Sequence, residues 1–190
     1  MKITETTIPD VIILEPAVFA DHRGYFIESY NKDKFPEKYK NIEFVKDNES
    51  KSTKGVLRGL HYQLPPFAQT KLVRVIKGKV LDVAVDIRKG SPSFGKHVTI
   101  ELSEDNKKQL LIPRGFAHGF IVLSDSAIFS YKCDNYYSPE HDRGILFNDP
   151  SLDIDWQLDI NKLIFSDKDK KQPLLKDAVE LFDYNVNLYE

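Results

Sequence analysis

The sequence predicts an all-β domain, folded as a sandwich or a barrel with a few short peripheral helices. Runs rich in Val, Ile, Leu and aromatic residues are short and recur at close spacing, which is typical of such folds. Turn-rich segments such as Gly90-Ser-Pro-Ser and Ser103-Glu-Asp-Asn separate these runs. The 190 residues fit one domain, since domains of about 100 to 200 residues are the usual unit.

The clearest single element is a β-hairpin over residues 72–88. Two β-branched runs flank the turn Lys77-Gly78-Lys79, a pattern that indicates two antiparallel strands. Further strands are predicted at 11–14, 24–30, 56–64, 97–102, 109–112, 119–123 and 127–133. Short helices are predicted at 32–40, where Pro36 has to lie near the start, and at 176–182.

Composition and charge exclude several classes of protein. Lys and Arg number 27 against 29 Asp and Glu, so the chain lacks the basic footprint of a nucleic-acid-binding protein. The single cysteine, Cys133, lies in an apolar run and is predicted to be a small core residue. No stretch approaches the roughly 18 apolar residues that span a bilayer, and the start has no apolar signal core. We therefore expect a cytoplasmic protein without a membrane partner.

Two histidine segments are candidates for chemistry. His61 lies in a strand-like run, where period-two alternation puts His61 and Gln63 on one face. Arg58 then falls on the opposite face unless Gly59 marks a bulge. The second segment is a Pro-Gly turn that leads directly into an apolar strand with His118 at its start. Taken alone, each histidine is more often a hydrogen-bonded structural residue than a functional one.

Together, the spacings Gly55-x5-His61 and Pro113-x-Gly115-x2-His118 resemble the two cupin motifs. In metal-dependent cupins these motifs supply three histidines and a glutamate to one ion. Here Gln63 stands where a histidine is needed, and Lys71 appears in the stretch where a glutamate is expected. An amide is a poor ligand for zinc or iron, and a cation repels a divalent ion. The sequence therefore predicts that the protein works without a metal.

A closer match follows from eight segments in chain order. They are Asp21-x-Arg-Gly-Tyr-Phe-x-Glu, Asp47-Asn-x-Ser-x-Ser, Val56-Leu-Arg-Gly-Leu-His-Tyr-Gln, Lys71-Leu-Val-Arg-Val-Ile-x-Gly, Asp82-Val-Ala-Val-Asp-Ile-Arg, Ile112-Pro-x-Gly-Phe-Ala-His-Gly-Phe, Tyr131-Lys and Ser166-x-Lys-Asp169. This set resembles the dTDP-4-dehydrorhamnose 3,5-epimerase family over nearly the whole chain. The resemblance implies a cupin jelly-roll barrel (a double-stranded β-helix), no cofactor, and conversion of dTDP-4-keto-6-deoxyglucose to dTDP-4-keto-L-rhamnose on the route to dTDP-L-rhamnose.

The chemistry of such a reaction accounts for three of the residue types. Epimerising a carbon beside a ketone needs a base, an electrophile for the enolate oxygen, and an acid on the other face. The resemblance implies that His61 is the base, oriented by Asp169. It implies further that Lys71 stabilises the enolate and that Tyr131 donates the returning proton.

The resemblance also assigns a nucleotide-binding set. Arg23, Arg58 and Lys168 are implied to bind the diphosphate, a role that suits cationic donors. The residues implied to bind the base and the sugar are Phe26, Glu28, Asn48, His118 and one of Tyr136 or Tyr137. Lys46 departs from the family, which usually has glutamine before Asp47-Asn48, and it puts a cation close to the expected sugar contacts.

The resemblance further implies a homodimer in which the strand over 21–30 lends Arg23, Phe26 and Glu28 to the neighbour's site. Three alternatives remain open on the sequence. One is a mono-epimerase acting at C3 or C5 only, and another is a catalytically silent cupin that binds sugar nucleotides. The last, a metal-dependent cupin oxygenase or isomerase, is disfavoured by Gln63 and Lys71.

Overall fold

The computed structural model describes residues 1–190 and contains fifteen β-strands and five short 3-10 turns, with no α-helix. The strands are β1 (Lys2–Glu5), β2 (Ile12–Glu15), β3 (Val18–Asp21), β4 (Gly24–Ile27), β5 (Lys46–Thr53), β6 (Leu57–Gln63), β7 (Lys71–Lys77), β8 (Lys79–Asp86), β9 (Arg88–Lys89), β10 (His97–Ser103), β11 (Gln109–Ile112), β12 (Phe116–Val122), β13 (Ser126–Cys133), β14 (Asp142–Gly144) and β15 (Phe182–Asp183). The 3-10 turns are Lys32–Lys34, Glu37–Tyr39, Ile160–Lys162, Asp169–Lys171 and Leu175–Asp177. No helix has the length and apolar character that crossing a bilayer requires.

Two antiparallel sheets form the body of the protein. The six-stranded sheet has the order β1-β2-β11-β7-β13-β5, and the five-stranded sheet has the order β10-β8-β12-β6-β14. Strands β3 and β4 form a separate exposed hairpin, and β15 pairs with β9 in parallel. The β-hairpin predicted over 72–88 is wrong: both strands form, as β7 and β8, but they do not pair with each other. The chain passes from one sheet to the other at Gly78, so β7 pairs with β11 and β13 whereas β8 pairs with β10 and β12. The predicted all-β jelly roll is confirmed.

The apolar residues divide into three clusters because both sheets are covered on their outer faces. Val73 and Phe129 of the six-stranded sheet pack against Phe120 of the five-stranded sheet, and this cluster fills the space between the sheets. The outer face of the five-stranded sheet packs under Phe147 and Trp156 from the long segment after β14. The 3-10 turns near residue 35 cover the outer face of the six-stranded sheet. Strands β8, β11 and β12 are therefore buried along most of their length.

The two predicted helices are wrong. Residues 32–40 form two 3-10 turns, because Pro36 lacks an N–H donor and the residue before it, Phe35, is extended at φ −73° and ψ 151°. Residues 176–182 contain no helix beyond the end of the turn Leu175–Asp177. The chain there runs extended, and this lets Leu175, Ala178 and Phe182 all reach the same core cluster.

The prediction did not include β5, although this strand is eight residues long. Its sequence is polar at every position, so it carries no apolar period. The position of β5 in the fold explains why its residues are polar. Asp47, Glu49 and Lys51 point to solvent, whereas the alternating residues on the other face line cavities inside the barrel. A strand that is polar on both faces leaves no hydrophobic signal.

The bulge considered at Gly59 is present. Strand β12 pairs His118 with His61 and Phe120 with Arg58, so three residues of β6 span two of β12. The extra residue rotates the strand, and Arg58 and His61 both line the same cavity. Gly59 has φ +141°, and a Cβ there would lie 2.5 Å from the Cα of Gly119. Only glycine fits this close approach of two backbones.

We expect Gly59→Ala to lower the free energy of unfolding by about 3 kcal/mol, because it adds a backbone clash to a strained φ. Gly24→Ala is the matched control, since Gly24 has φ +131° with no atom within 4 Å of the added Cβ. The control should lose only about 1 kcal/mol. Urea unfolding measures both values. Equal losses would show that the contact between Gly59 and Gly119 has no special importance.

Candidate active site

A cavity of about 530 Å³ opens between the two sheets, beside the end of the barrel that carries the Gly59 bulge. Its lining combines titratable groups with an apolar wall. The polar lining residues are Ser50, Arg58, His61, Lys71, His118, Tyr131, Ser166, Lys168 and Asp169. The apolar ones are Val56, Leu57, Phe120, Phe129, Ile164 and Phe165. All four residues predicted to be catalytic therefore lie in one cavity.

His61 and Asp169 form a hydrogen-bonded pair. His61 Nε2 lies 2.6 Å from Asp169 Oδ1, and the aspartate side chain is only 4% exposed. Burial alone would raise the pKa of Asp169, but the hydrogen bond and charge of His61 and hydrogen bonds from Ser166 hold that pKa below its ordinary value. The carboxylate is thus ionised at neutral pH. It favours the tautomer in which Nε2 carries the proton and Nδ1 keeps the lone pair.

Lys71 and Tyr131 lie on neighbouring strands of the opposite sheet, β7 and β13. Burial lowers the pKa of the Lys71 ammonium. The charge of Lys46 lowers this pKa further, whereas the charges of Asp142 and Asp82 raise it. Burial also raises the pKa of the Tyr131 hydroxyl, so the phenol stays protonated near neutral pH. The Lys71 amine and the phenolic donor of Tyr131 therefore face the histidine from across the cavity.

His118 is a buried residue at the inner wall of the cavity. Its Nε2 lies 3.0 Å from Oδ2 and 3.2 Å from Oδ1 of Asp82, which is fully buried on β8. Burial lowers the pKa of His118 more strongly than the charge of Asp82 raises it. The imidazole is therefore neutral near neutral pH, and a neutral ring can either donate or accept a hydrogen bond.

Arg58 and Lys168 provide cations at the same cavity. Arg58 Nε and Nη2 each lie 3.2 Å from Ser52 Oγ, and this serine aims the guanidinium. Lys168 forms a salt bridge with Asp142. A planar fork of donors and a second cation suit a diphosphate.

A second cavity of about 320 Å³ adjoins the first and shares His61, Lys71 and Tyr131 with it. Its polar wall also includes Lys46, Asn48, Gln63, Gln69, Tyr137 and Asp142. Tyr137 donates from its hydroxyl to Asp142 Oδ2 at 2.9 Å. Both tyrosines are exposed, Tyr136 by 61% and Tyr137 by 58%, but only Tyr137 lines this cavity.

Comparison with known proteins identifies the family. The family model for dTDP-4-dehydrorhamnose 3,5-epimerase matches residues 5–177. The chain belongs to this family. The predicted membership is confirmed, and the predicted epimerase activity is confirmed with it.

Individual relatives of the epimerase family cover almost the whole chain. The dTDP-4-dehydrorhamnose 3,5-epimerase of Shigella flexneri is 59% identical over 170 residues, covering 89% of this chain and 93% of that protein. The crystal structure of the epimerase from Elizabethkingia anophelis has a TM-score of 0.88 at 52% identity, with coverage of 93% and 97%. The Legionella pneumophila epimerase, solved in complex with dTDP-4-keto-L-rhamnose, has a TM-score of 0.89 at 46% identity, with coverage of 97% and 99%.

Three residues that the epimerase resemblance assigns to substrate lie away from both cavities. Arg23 and Phe26 are on the exposed β3–β4 hairpin, and Glu28 follows it. Arg23 pairs with Asp21 at 2.6 Å, and Glu28 pairs with Lys34 at 2.7 Å. Within one subunit, therefore, none of the three reaches the cavity that contains His61 and Asp169.

The epimerase contains no group of three or more His, Cys, Asp or Glu side chains that could hold a metal ion. Gln63, at the position of a cupin ligand, is occupied by backbone contacts. Its Nε2 donates to the carbonyls of Phe67 at 2.7 Å and Tyr136 at 3.0 Å, and its Oε1 accepts from the Ser138 N–H at 2.8 Å. Gln63 thus anchors the loop that carries Tyr137. Metal independence itself stays a prediction.

Several polar residues of the site were given no role from the sequence, among them Asp82, Asp142, Ser50 and Ser166. Asp82 interrupts an otherwise apolar strand, a signal that could have indicated a buried polar partner. Asp142 follows a turn-rich stretch rather than interrupting an apolar strand, so no local pattern indicated it. Ser50 Oγ is buried without a hydrogen-bond partner in the protein, so it is available to a ligand oxygen or N–H.

Proposed function

We propose that this chain epimerises dTDP-4-keto-6-deoxyglucose at C3 and C5 by proton transfer from and to its own side chains, without a cofactor. One observation carries the proposal. The pair His61–Asp169, at 2.6 Å, lies in a cavity that also contains Lys71 and Tyr131. This is the set of base, orienting carboxylate, cation and acid that inversion beside a ketone requires.

His61 acts as the base. The ketone at C4 acidifies the hydrogens on the adjacent carbons, and Nδ1 of His61 removes one of them while Nε2 remains bonded to Asp169. The imidazolium that forms is stabilised by the carboxylate. The C–H electron pair moves into the bond to C4, and the oxygen on C4 becomes an enolate oxygen.

Lys71 stabilises the enolate oxygen. An ammonium in a half-enclosed cavity interacts more strongly with a developing anion than it would in water, because the local dielectric constant is lower. His118 lies on the opposite sheet, where its Nε2 is 3.0 Å from Asp82 Oδ2.

Tyr131 returns the proton on the opposite face. Tyr131 lies on β13 of the six-stranded sheet, and His61 lies on β6 of the five-stranded sheet. A sugar ring between the sheets would be deprotonated from one side and reprotonated from the other, which inverts the carbon. Because burial raises the pKa of Tyr131, its hydroxyl carries the proton to be donated.

The remaining assigned residues bind the nucleotide in this proposal. Arg58 and Lys168 contact the diphosphate, while Asn48, His118 and the Tyr137 ring contact the sugar and the base. The assignment of Tyr136 to the base and sugar stays a prediction, but the positions of the two side chains favour Tyr137 for this role. Lys46 adds a cation to the wall of the second cavity and lies within reach of the sugar. The expected cytoplasmic location, and a product that serves cell-surface polysaccharide, also stay predictions.

Turnover in deuterated water tests the number of carbons inverted. We expect solvent deuterium and inversion at both C3 and C5, because the base and the acid face the ring as a whole rather than one carbon. Nuclear magnetic resonance of the product after exhaustive turnover measures both. Exchange and inversion at one carbon only would support the mono-epimerase. Recovery of the second inversion in Lys46→Gln would then identify the cation as the cause.

A homodimer completes the site in this proposal. The β3–β4 hairpin exposes Phe19 by 63% and Phe26 by 67%, a degree of apolar exposure that favours cover by a neighbour. Arg23, Phe26 and Glu28 would then reach the partner's cavity. Light scattering should show a dimer.

Complementation tests the exchange of hairpins directly. His61→Ala and Arg23→Ala should each be severely impaired alone. Coexpressed, they form mixed dimers in which one site has an intact body and an intact hairpin, so roughly a quarter of wild-type activity should return. A dimer without complementation would mean that each hairpin serves its own subunit.

A further inference from the structure

The three strands that meet at Lys71 all end at the same place. Lys71 is the first residue of β7 and lies opposite Ile112, the last residue of β11, and Cys133, the last residue of β13. The residues just beyond these ends form one polar cluster. Its members are Thr70, Arg114 and Asp134, together with Tyr189 from the carboxy-terminal tail.

Asp134 holds the backbone of Thr70. Its Oδ1 accepts from the Thr70 N–H at 2.6 Å, and its own N–H donates to the Thr70 carbonyl at 3.3 Å. Its Oδ2 accepts from Arg114 Nε at 3.1 Å, and the Asp134 side chain is 4% exposed. The residue that precedes Lys71 is therefore fixed to the ends of two neighbouring strands.

The tail completes this cluster from a distance of 119 residues along the chain. Tyr189 places its hydroxyl 2.9 Å from Thr70 Oγ1, and the same oxygen accepts from the Arg114 N–H at 3.3 Å. Arg114 Nη1 donates to the Leu188 carbonyl at 2.7 Å, and the guanidinium lies 5.0 Å from the Tyr189 ring centre. Either hydroxyl can donate in the bond between Tyr189 and Thr70, and removing the Tyr189 hydroxyl removes that bond in both cases.

We propose that the carboxy-terminal tail is a positioning device for the reaction, in which the Tyr189 hydroxyl fixes Thr70 and thereby the position of Lys71 in the cavity. The proposal rests on the role of Lys71 given under the proposed function. It assigns a catalytic consequence to residues beyond the 5–177 segment that the family model matches. Thr70 is fully buried, so a small shift there moves the adjacent lysine rather than a solvent-exposed side chain.

Tyr189→Phe keeps the ring over Arg114 and removes only the hydroxyl. We expect kcat to fall about tenfold, less than the roughly 100-fold that a 1 Å misplacement can cost. The affinity for dTDP, measured by calorimetry, should stay within about twofold, because the nucleotide-binding groups are not attached to Thr70. Tyr184→Phe is the matched control. Tyr184 belongs to the same tail and stacks on Arg88 at 5.1 Å, but its hydroxyl makes no hydrogen bond, so kcat should not change.

Thr70 variants test the same hydrogen bond from its other end. Thr70→Val should lose as much kcat as Tyr189→Phe, and Thr70→Ser, which keeps a hydroxyl, should retain most of it. Because one bond is removed in either case, the double variant Tyr189→Phe/Thr70→Val should be no slower than each single variant. Circular dichroism confirms that each variant is folded at the assay temperature.

Several results would overturn the positioning role. They are an unchanged kcat in folded Tyr189→Phe, a loss of dTDP affinity equal to the loss of kcat, or additive losses in the double variant. These outcomes differ from a failure of the proposed function. If the wild-type protein does not turn over dTDP-4-keto-6-deoxyglucose, the proposed function fails, whatever the tail variants do.

Discussion

His61→Ala is expected to lower kcat by roughly 100-fold to 10,000-fold while the protein stays folded, since that is the usual contribution of a general base. The substitution removes the imidazole that lies 2.6 Å from the carboxylate of Asp169. Both proton removal and deuterium exchange should stop, because each begins with the base. Steady-state kinetics and exchange into the substrate in deuterated water measure the two effects.

The controls for this prediction separate the base from its partner. His97→Ala removes an imidazole from the edge strand β10, away from the cavity, and should leave kcat unchanged. Asp169→Asn keeps the shape of the orienting residue but removes its charge. The loss of kcat in Asp169→Asn can approach that in His61→Ala, since a carboxamide that favours the wrong histidine tautomer can lower kcat roughly 10,000-fold. Near-normal turnover in His61→Ala would assign the base to another residue.

Tyr131→Phe is expected to separate exchange from inversion. His61 still removes the proton and Lys71 still holds the enolate, so solvent deuterium continues to enter the substrate. Reprotonation on the opposite face should fall about 100-fold, because only the acid has been removed. The ring of Phe replaces that of Tyr against Phe129, so the packing of β13 is preserved.

The measurement follows deuterium in recovered substrate and in product separately, so that one variant reports both steps. Tyr30→Phe is the control, since Tyr30 packs against Phe35 and Phe44 on the outer face of the six-stranded sheet and not in the cavity. Equal loss of exchange and inversion in folded Tyr131→Phe would mean that Tyr131 has no separate role as the acid.

The sequence by itself determined the strand-rich architecture and the identity of the chemical groups. Period-two and β-branched runs predicted most strands of the two sheets, because burial of a strand leaves a local pattern in its residues. Gly59 indicated the bulge for a local reason as well, since a glycine within a strand often marks one. The resemblance of eight segments then predicted which four side chains meet.

Only the tertiary structure decided the geometry of the site and which further residues belong to it. His61 and Asp169 are 108 residues apart, and Thr70 and Tyr189 are 119 residues apart, so no local period relates either pair. The polar strand β5 is held by its hydrogen bonds to β13 rather than by an apolar face, and therefore lacked a sequence signal. The choice of Tyr137 over Tyr136, and the inclusion of Asp142, depend on which way a loop anchored by Gln63 turns. Contacts of this kind arise from how distant segments pack, and the local sequence does not record them.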